Sequence, residues 1–354
     1  MKIFAPFGYL HYHDESRFRR LLMRKTIVFL WLCLCFGLGC QKKDRQVFTI
    51  GIFQINEAPH LNAVREGFIK SLEDAGLREG QNIRLIIRDG NGSILTLHHI
   101  ALEFAAQNVN MIVPLSTPCL QAALHATQKI PIVFSSVANP VLAGAGNSFY
   151  QHLSYVTGMA SKSPIQESLE FIKTVLPHVK RIGTLWTPYE LNSEYYLDLA
   201  RQYSKELGIS VISVPVSSQR DVFFAAQKLA VKNIDAIYQI SDNTINASFE
   251  DLSEVADEYI LPLFGGFLLA TRFGACAALG WDFFEMGYKT GKIAIRVKNG
   301  ENPRQIPFQS MKKARLFLNL GAAEKQGVAF SKEILERADQ ILKSDELSTV
   351  SSLD

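Results

Sequence analysis

The chain has 354 residues, of which 47% are hydrophobic and 20% are charged, and its formal net charge at pH 7 is +3. Residues 1–46 hold nine Lys and Arg against three Asp and Glu, whereas residues 47–354 hold 28 against 31. The hydrophobic content is sufficient for a large core, and the mildly acidic body argues against nucleic acid as a partner.

The segment from Met23 to Cys40 has the layout of an export signal. A basic start, Arg24-Lys25, precedes an apolar run at 27–38 and a small residue, Gly39, before the cysteine. Such a layout is typical of a cleaved signal peptide. The alternative, a membrane-spanning helix, needs roughly 20 apolar residues, and this run is too short for it. We therefore predict that the protein is exported.

Cleavage before Cys40 would make this cysteine the new N-terminus, and the segment resembles a bacterial lipoprotein signal with Cys40 as the acylated residue. Gly37 departs from the usual pattern, which has Leu three residues before the cysteine. We predict a signal peptide at 1–39, a lipid-anchored tether at 40–47, and a periplasmic or outer cell-envelope location. Two interpretations of residues 1–22 stay open: an upstream mis-start with Met23 as the true start, or a long basic leader.

Two cysteines, Cys119 and Cys276, lie in the body of the chain beyond Cys40. Both stand beside small or apolar residues, and free cysteines commonly behave as small buried hydrophobes. We predict buried thiols without a disulfide. No His, Cys, Asp or Glu spacing indicates a metal site, and the adjacent pair His98-His99 cannot face one site from a helix.

From residue 47 onward, strand and helix patterns alternate. Short apolar runs predict strands, and longer stretches with apolar residues at helical spacing predict helices, with Gly or Pro at their ends. Strands are predicted at 47–53, 83–87, 111–115, 130–134, 181–186, 210–214, 236–240, 261–264, 274–279 and 315–320. Helices are predicted at 61–75, 96–107, 118–127, 163–176, 193–207, 220–231, 247–259, 284–299, 321–326 and 331–343.

This alternation predicts an α/β fold of two similar lobes, each a parallel sheet flanked by helices. Open parallel sheets place ligands beyond the carboxyl ends of their strands. Two such sheets facing each other would hold a ligand in a cleft between the lobes, where closure can trap it. We assign residues 48–157 and 283–303 to lobe 1, residues 158–282 and 304–343 to lobe 2, and residues 344–354 to a frayed tail.

Polar side chains follow several predicted strands. Ser116 and Thr117 precede Pro118, so Thr117 can cap a helix whose N-terminus favours a carboxylate. Asn139 follows the next strand, in a segment that can equally be a polar turn. Asp242 follows a strand of the second lobe, where it can meet an ammonium or hydroxyl group or serve only as a helix N-cap.

Signatures of enzymes are absent from the sequence. No Gly-x-Gly-x-x-Gly, P-loop or Gly-x-Ser-x-Gly motif occurs at a suitable place, and no nucleophile lies near a base. We predict no catalytic residue and no cofactor. Four aromatic residues are candidates for an aromatic slot or for plain core: Trp186, Phe264, Phe267 and Trp281.

Many segments in a fixed order resemble one family, the ABC-transporter substrate-binding lipoproteins, whose members are often described as binding tryptophan or tyrosine. The resemblance runs from about Phe48 to Val328. It is carried by Ile50-Gly51-Ile52-Phe53-Gln54, Arg65-Glu66-Gly67-Phe68, Glu79-Gly80-Gln81-Asn82-Ile83, Ser116-Thr117-Pro118, Val156-Thr157-Gly158, Asn192-Ser193, Ser241-Asp242-Asn243-Thr244, Ala278-Leu279-Gly280-Trp281-Asp282 and Gly287-Tyr288-Lys289-Thr290-Gly291-Lys292.

The resemblance implies a periplasmic-binding-protein type I fold with three crossovers between the lobes. Together with the strand-end candidates, it predicts a ligand site at Gln54, Ser116, Thr117, Asn139, Asn192, Asp242, Asn243 and Asp282. This chain departs from the family at Ala58, Asn62 and Asn139, where the family has His, Asp and Asp, and at Met159-Ala160-Ser161.

The predicted function is capture of a small solute for an ABC permease and its ATPase. The expected solute is an amino acid, and the narrower expectation is an aromatic one. Thr117 and its helix N-terminus would hold a carboxylate, and Asp242 an ammonium. The alternatives are a ligand-sensing subunit for a membrane receptor and an exported α/β enzyme.

Overall fold

The computed structural model describes residues 47–343. The predicted signal peptide, Cys40 and the predicted tail at 344–354 lie outside the described residues. Residues 48–343 belong to a single compact unit.

Strands and helices alternate along most of the described chain. The strands are β1 Phe48–Gln54, β2 Ile83–Asp89, β3 Met111–Leu115, β4 Ile132–Val137, β5 Val156–Ala160, β6 Arg181–Trp186, β7 Ser210–Pro215, β8 Ala236–Gln239, β9 Leu263–Gly265, β10 Ala277–Gly280, β11 Gln309–Ser310, β12 Arg315–Asn319 and β13 Gln340–Leu342. The helices are α1 Pro59–Asp74, α2 Ile94–Ala106, α3 Thr117–Ala126, α4 Ile165–Val175, α5 Leu191–Glu206, α6 Val222–Ala230, α7 Asn243–Asn246, α8 Phe249–Glu258, α9 Phe283–Lys298, α10 Leu320–Lys325 and α11 Lys332–Arg337.

The first sheet has six strands in the order β11-β5-β4-β3-β1-β2, and its paired strands run parallel. Burial explains the strand sequences, since all five residues of β3 and of β5 are buried. A parallel sheet covered on both faces requires such continuous apolar runs.

The second sheet has seven strands in the order β13-β12-β10-β9-β8-β6-β7. Its pairs are parallel except β10 with β12, which are antiparallel. The two parallel-dominated sheets with flanking helices confirm the predicted α/β class. The antiparallel pair corrects the expectation of a purely parallel sheet in each lobe.

The chain passes between the sheets three times, after β5, after β10 and between β11 and β12. The predicted boundary after residue 157 falls inside β5, which pairs with β4 up to Ala160. Likewise β11, assigned from the sequence to lobe 2, pairs with β5 in the first sheet. Neither position was visible in the sequence, because the partner strand decides which sheet a short apolar run joins.

The last predicted helix, at 331–343, is wrong in its second half. Helix α11 ends at Arg337, and β13 then pairs in parallel with β12. Asp339 stabilises the start of β13 beside β12, because its carboxylate accepts a hydrogen bond from the backbone N–H of Leu316 at 2.8 Å. Residues 340–342 therefore form a strand at the edge of the sheet, although their sequence pattern predicts a helix.

Helices α1 and α9 pack closely on the first sheet. Gly67 and Gly287 stand at their contact, where an added Cβ on Gly287 would overlap the carbonyl oxygen of Val64. A buried hydroxyl pair, Ser135 of β4 and Thr290 of α9 at 2.8 Å, ties the helix to the sheet. The missing side chain of Gly287 therefore lets the two helices approach closely.

The two body cysteines, Cys119 and Cys276, are free and buried, as predicted. Burial raises the pKa of the Cys276 thiol to about 12. Among residues 47–343, no helix is both long and apolar enough to span a membrane.

Candidate functional site

A small polar cavity lies where carboxyl ends of strands from both sheets meet. It is lined by Ser136, in the last part of β4, and by residues that follow β1, β4, β5, β6 and β8: His60, Ala138, Ser161, Asn192, Tyr196, Ser241 and Asn243. Its volume is about 10 Å³. That is about the space that one water needs, so no larger molecule fits in this conformation.

A fully buried carboxylate, Glu190, lies directly behind the cavity. Its Oε2 accepts hydrogen bonds from the side-chain Nδ2 of Asn192 at 3.0 Å and of Asn243 at 2.5 Å, and from the backbone N of Asn243 at 3.2 Å. Its Oε1 accepts from the backbone N and the hydroxyl of Thr244 at 3.1 and 2.7 Å. Five donors therefore satisfy this buried charge.

A second buried carboxylate, Asp242, caps the short helix α7. Its Oδ1 accepts from the backbone N of Ile245 at 3.0 Å and from the hydroxyl of Thr187 at 3.1 Å, and its Oδ2 from the backbone N of Thr187 at 2.9 Å. Burial, followed by the charge of Glu190, raises the pKa of Asp242 to about 7. The helix-cap interpretation from the sequence is confirmed, and contact with a ligand stays a prediction.

The imidazole of His60 enters from α1 and is buried between Phe267 and Phe283, with ring centroids at 5.5 and 5.3 Å. Burial lowers the pKa of His60 to about 4, an effect that the side chain of Asn243 partly offsets. The ring is therefore neutral at pH 7. Its Nδ1 has no hydrogen-bond partner among the described residues.

Two serines at the first-sheet side hold unusual backbone angles. Ser116 has φ 138° and Ser136 has φ 56°. Non-glycine residues in such regions cost about 1–3 kcal/mol and cluster at functional sites. The strain supports the assignment of these strand ends to a site.

Ser116, not Thr117, is the N-cap of α3, and its Oγ accepts from the backbone N of Cys119 at 3.5 Å. This corrects the predicted cap. The hydroxyl of Thr117 instead accepts from the backbone N of Ala138 at 3.2 Å, which ties α3 to a residue that lines the cavity.

Three other predicted site residues form hydrogen bonds or ion pairs with residues that do not line the cavity. Gln54 donates to Asn62 Oδ1 at 2.8 Å and accepts from Arg65 at 3.0 Å. The side chain of Asn139 accepts from the two backbone N–H groups that follow its proline, as a polar turn does. Asp282 caps α9 and pairs with Arg315 at 3.0 Å. Their roles toward a ligand stay predictions.

Of the eight predicted site residues, Asn192 and Asn243 line the cavity. Sequence reasoning missed Glu190 and His60. The signal for Glu190 was available, because Thr187-Pro188-Tyr189-Glu190 follows the end of β6, the same placement that singled out Asp242.

None of the four candidate aromatic residues lines the cavity. Phe264 and Phe267 are buried in core clusters, and the indole N–H of Trp281 donates to the backbone oxygen of Lys162 at 2.9 Å. Within residues 47–343, no group of three or more His, Cys, Asp or Glu is placed to hold a metal ion.

A family model described as ABC transporter substrate binding protein matches residues 49–342 of the chain. A relative from Clostridioides difficile (strain R20291), called "Tyrosine-binding protein", is 34% identical over 271 residues. That alignment covers 77% of this chain and 78% of the relative.

Two solved structures share the fold. One, a conserved domain protein from Vibrio cholerae, is 31% identical with a TM-score of 0.82, and the match covers 84% of this chain and all of that one. The other, an ABC domain in complex with L-Trp from Streptococcus pneumonia, is 23% identical with a TM-score of 0.79 over 83% and 99% of the two chains. At that identity the second structure supports the fold alone.

Proposed function

We propose that this chain, which belongs to the family of ABC transporter substrate-binding proteins, captures an amino acid between its two sheets and delivers it to an ABC importer. The family and the relative called "Tyrosine-binding protein" are solute-binding proteins, so this chain is not an enzyme. Small-molecule binding is therefore its activity, and the ligand, the partner permease and the conformational change are the proposals that follow.

One observation carries the ligand site: a buried polar cavity lined by the strand ends of both sheets. Ligands of open α/β sheets bind beyond the carboxyl ends of the strands. Sites for small molecules usually have volumes of roughly 300–1,000 Å³, so the sheets must separate before a solute enters. We infer that the described conformation is the closed one and that closure traps the ligand.

The amino-acid class is supported by the 34% identical relative called "Tyrosine-binding protein". It is also supported by the chemistry of the cavity, in which Ser136 and Ser161 offer hydroxyl groups from the first-sheet side and Asn192 and Asn243 offer amides from the second. Such a site suits a ligand with a carboxylate at one end and an ammonium at the other. L-Tyrosine is the first candidate.

Isothermal titration calorimetry of residues 40–354 with the twenty amino acids and a set of nucleosides tests the ligand class. We expect one amino acid or a small group of them to bind with a Kd in the micromolar range, about −8 kcal/mol. Binding of nucleosides alone, or of nothing more tightly than about 1 mM, would contradict the proposal.

Export and lipid anchoring are the second part of the proposal. They are supported by the sequence at 23–40, with Cys40 as the acylated residue. A lipid on Cys40 would hold the protein at the outer face of the membrane beside its permease. We expect palmitate labelling of the full chain in cells, and loss of the label in Cys40→Ala, whereas Cys35→Ala should keep it.

A further inference from the structure

We propose that Glu190 is a positioning residue that turns the side-chain oxygen of Asn192 into the cavity, where it accepts a hydrogen bond from a ligand ammonium group. The inference rests on the proposed function, since it takes this cavity as the solute site. The inference goes beyond that function by naming Asn192 as the group that recognises the ammonium and Glu190 as the buried carboxylate that orients Asn192.

The orientation of two amides follows from the contacts of Glu190. A buried carboxylate surrounded by donors acts only as an acceptor, so the Nδ2 groups of Asn192 and Asn243 must both face it. The Oδ1 atom of each amide then points away from Glu190. Both residues line the cavity.

The side-chain oxygen of Asn192 forms no hydrogen bond with any of the described residues. Asn192 is 5% exposed, and its Oδ1 is buried without a hydrogen-bond partner. A buried acceptor without a donor is unfavourable. An unsatisfied acceptor at the wall of a ligand cavity therefore favours a ligand that brings an N–H or O–H group.

Electrostatics selects a cation as the donor. Glu190 and Asp242 are both fully buried, and among residues 47–343 no basic side chain forms an ion pair with either. Of the titratable groups that line the cavity, His60 is neutral at pH 7 because burial lowers its pKa to about 4, and Tyr196 is neutral because burial raises its pKa to about 12. Two buried carboxyl groups without a basic partner favour a positive ligand group beside them.

Asp242 is less suited to direct contact with the ligand ammonium group, because groups of the protein already donate hydrogen bonds to its carboxylate. Thr187 and Ile245 supply three donors to its two oxygens. Its carboxyl group is also only partly ionised at pH 7, because burial and Glu190 raise its pKa to about 7. Asn192 is therefore the contact group for the ammonium, and Glu190 acts behind it.

The test compares L-tyrosine with its des-amino analogue, 3-(4-hydroxyphenyl)propionate, by calorimetry at pH 7. The unmodified protein should bind tyrosine at least about 30-fold more tightly, since a site built to bond a donor rejects a ligand without it. In Glu190→Gln, the new amide N–H competes with the Asn donors, so the preference for tyrosine should fall about tenfold. Glu194→Gln, the same change at an exposed position of α5, should keep it.

A purely structural role for Glu190 would weaken both ligands equally. An unchanged ratio of the two Kd values in Glu190→Gln therefore overturns the positioning role, even when both affinities fall. Asn192→Leu removes the acceptor but leaves Glu190 with four donors, so it repeats the test if Glu190→Gln does not fold. Loss of the preference supports the inference, and its persistence in Asn192→Leu overturns it.

Failure of the proposed function looks different. If the unmodified protein binds no amino acid, the solute class and this inference both fall. If it binds tyrosine no better than the des-amino analogue, amino-acid-like binding stands and only the ammonium site is excluded.

Discussion

Asn56 donates a hydrogen bond from its side-chain Nδ2 to the backbone oxygen of Asn243 at 3.0 Å. Asn56 follows β1 of the first sheet, and Asn243 follows β8 of the second. Both residues are buried. The bond therefore joins the two sheets beside the cavity, and it can form only when the strand ends are close together.

Asn56→Ala should weaken the closed conformation. The lost bond contributes about 1 kcal/mol, which corresponds to a rise of about fivefold in the Kd of the bound amino acid. Calorimetry measures the affinity, and small-angle X-ray scattering of the ligand-bound protein should show a larger radius of gyration. Asn302→Ala, at an exposed turn far along the chain, is the control. Equal affinities for the two variants would exclude a role of the bond in closure.

The pH dependence of stability should carry the signature of Asp242. Its pKa is raised from 3.8 to about 7 in the folded protein, so between these values the folded state binds the extra proton. Stability from this group is then fully present below about pH 4 and is lost as the pH rises to about 7.

The measurement is urea unfolding at pH 5 and pH 7. The free energy of unfolding should fall between these values by on the order of 2 kcal/mol from this group. Asp242→Asn should remove that fall, while the exposed Asp198→Asn should retain it. An identical slope in all three proteins would show that Asp242 does not titrate in this range.

His60 should give the opposite slope. Burial lowers its pKa from 6.5 to about 4, so between these values the unfolded state binds the extra proton. Its contribution to stability is lost as the pH falls from about 6.5 toward 4. In the unmodified protein, this group should make the free energy of unfolding lower at pH 4.5 than at pH 6.5. In His60→Leu this contribution should be absent.

The control for His60 is His99→Leu, at an exposed position of α2. It should keep the slope of the unmodified protein. A slope that persists in His60→Leu would assign the acid sensitivity to another group.

Gly287→Ala should destabilise the contact between α1 and α9. The added methyl group would overlap the carbonyl oxygen of Val64, and backbone cannot yield as a flexible side chain does. We expect a loss of about 3 kcal/mol in the free energy of unfolding, read from urea or thermal denaturation. Lys292→Ala, on the exposed side of the same helix, should change stability by only about 0.5 kcal/mol. A tolerated Gly287→Ala would mean that the helices can separate without cost.

Local pattern was sufficient for much of the fold. The strands β3 and β6 were predicted with their observed bounds, and for β3 the reason is that a short strand buried at every residue has a nearly continuous apolar sequence. The burial of Cys119 and Cys276 followed from their small apolar neighbours. In contrast, β13 was read as helix, because its pairing with β12 is not encoded in its own residues.

For the candidate site, the sequence by itself determined the region and the residue types: polar side chains just after parallel strands, with Asn192 and Asn243 among them. Only the tertiary structure decided their states. It placed Glu190 within hydrogen-bond distance of Asn243, 53 residues away along the chain, and buried His60 against Phe267. Burial and long-range contacts set which carboxyl group is fully hydrogen-bonded within the chain, which ring is neutral and which amide oxygen lacks a partner. No local sequence pattern contains these contacts.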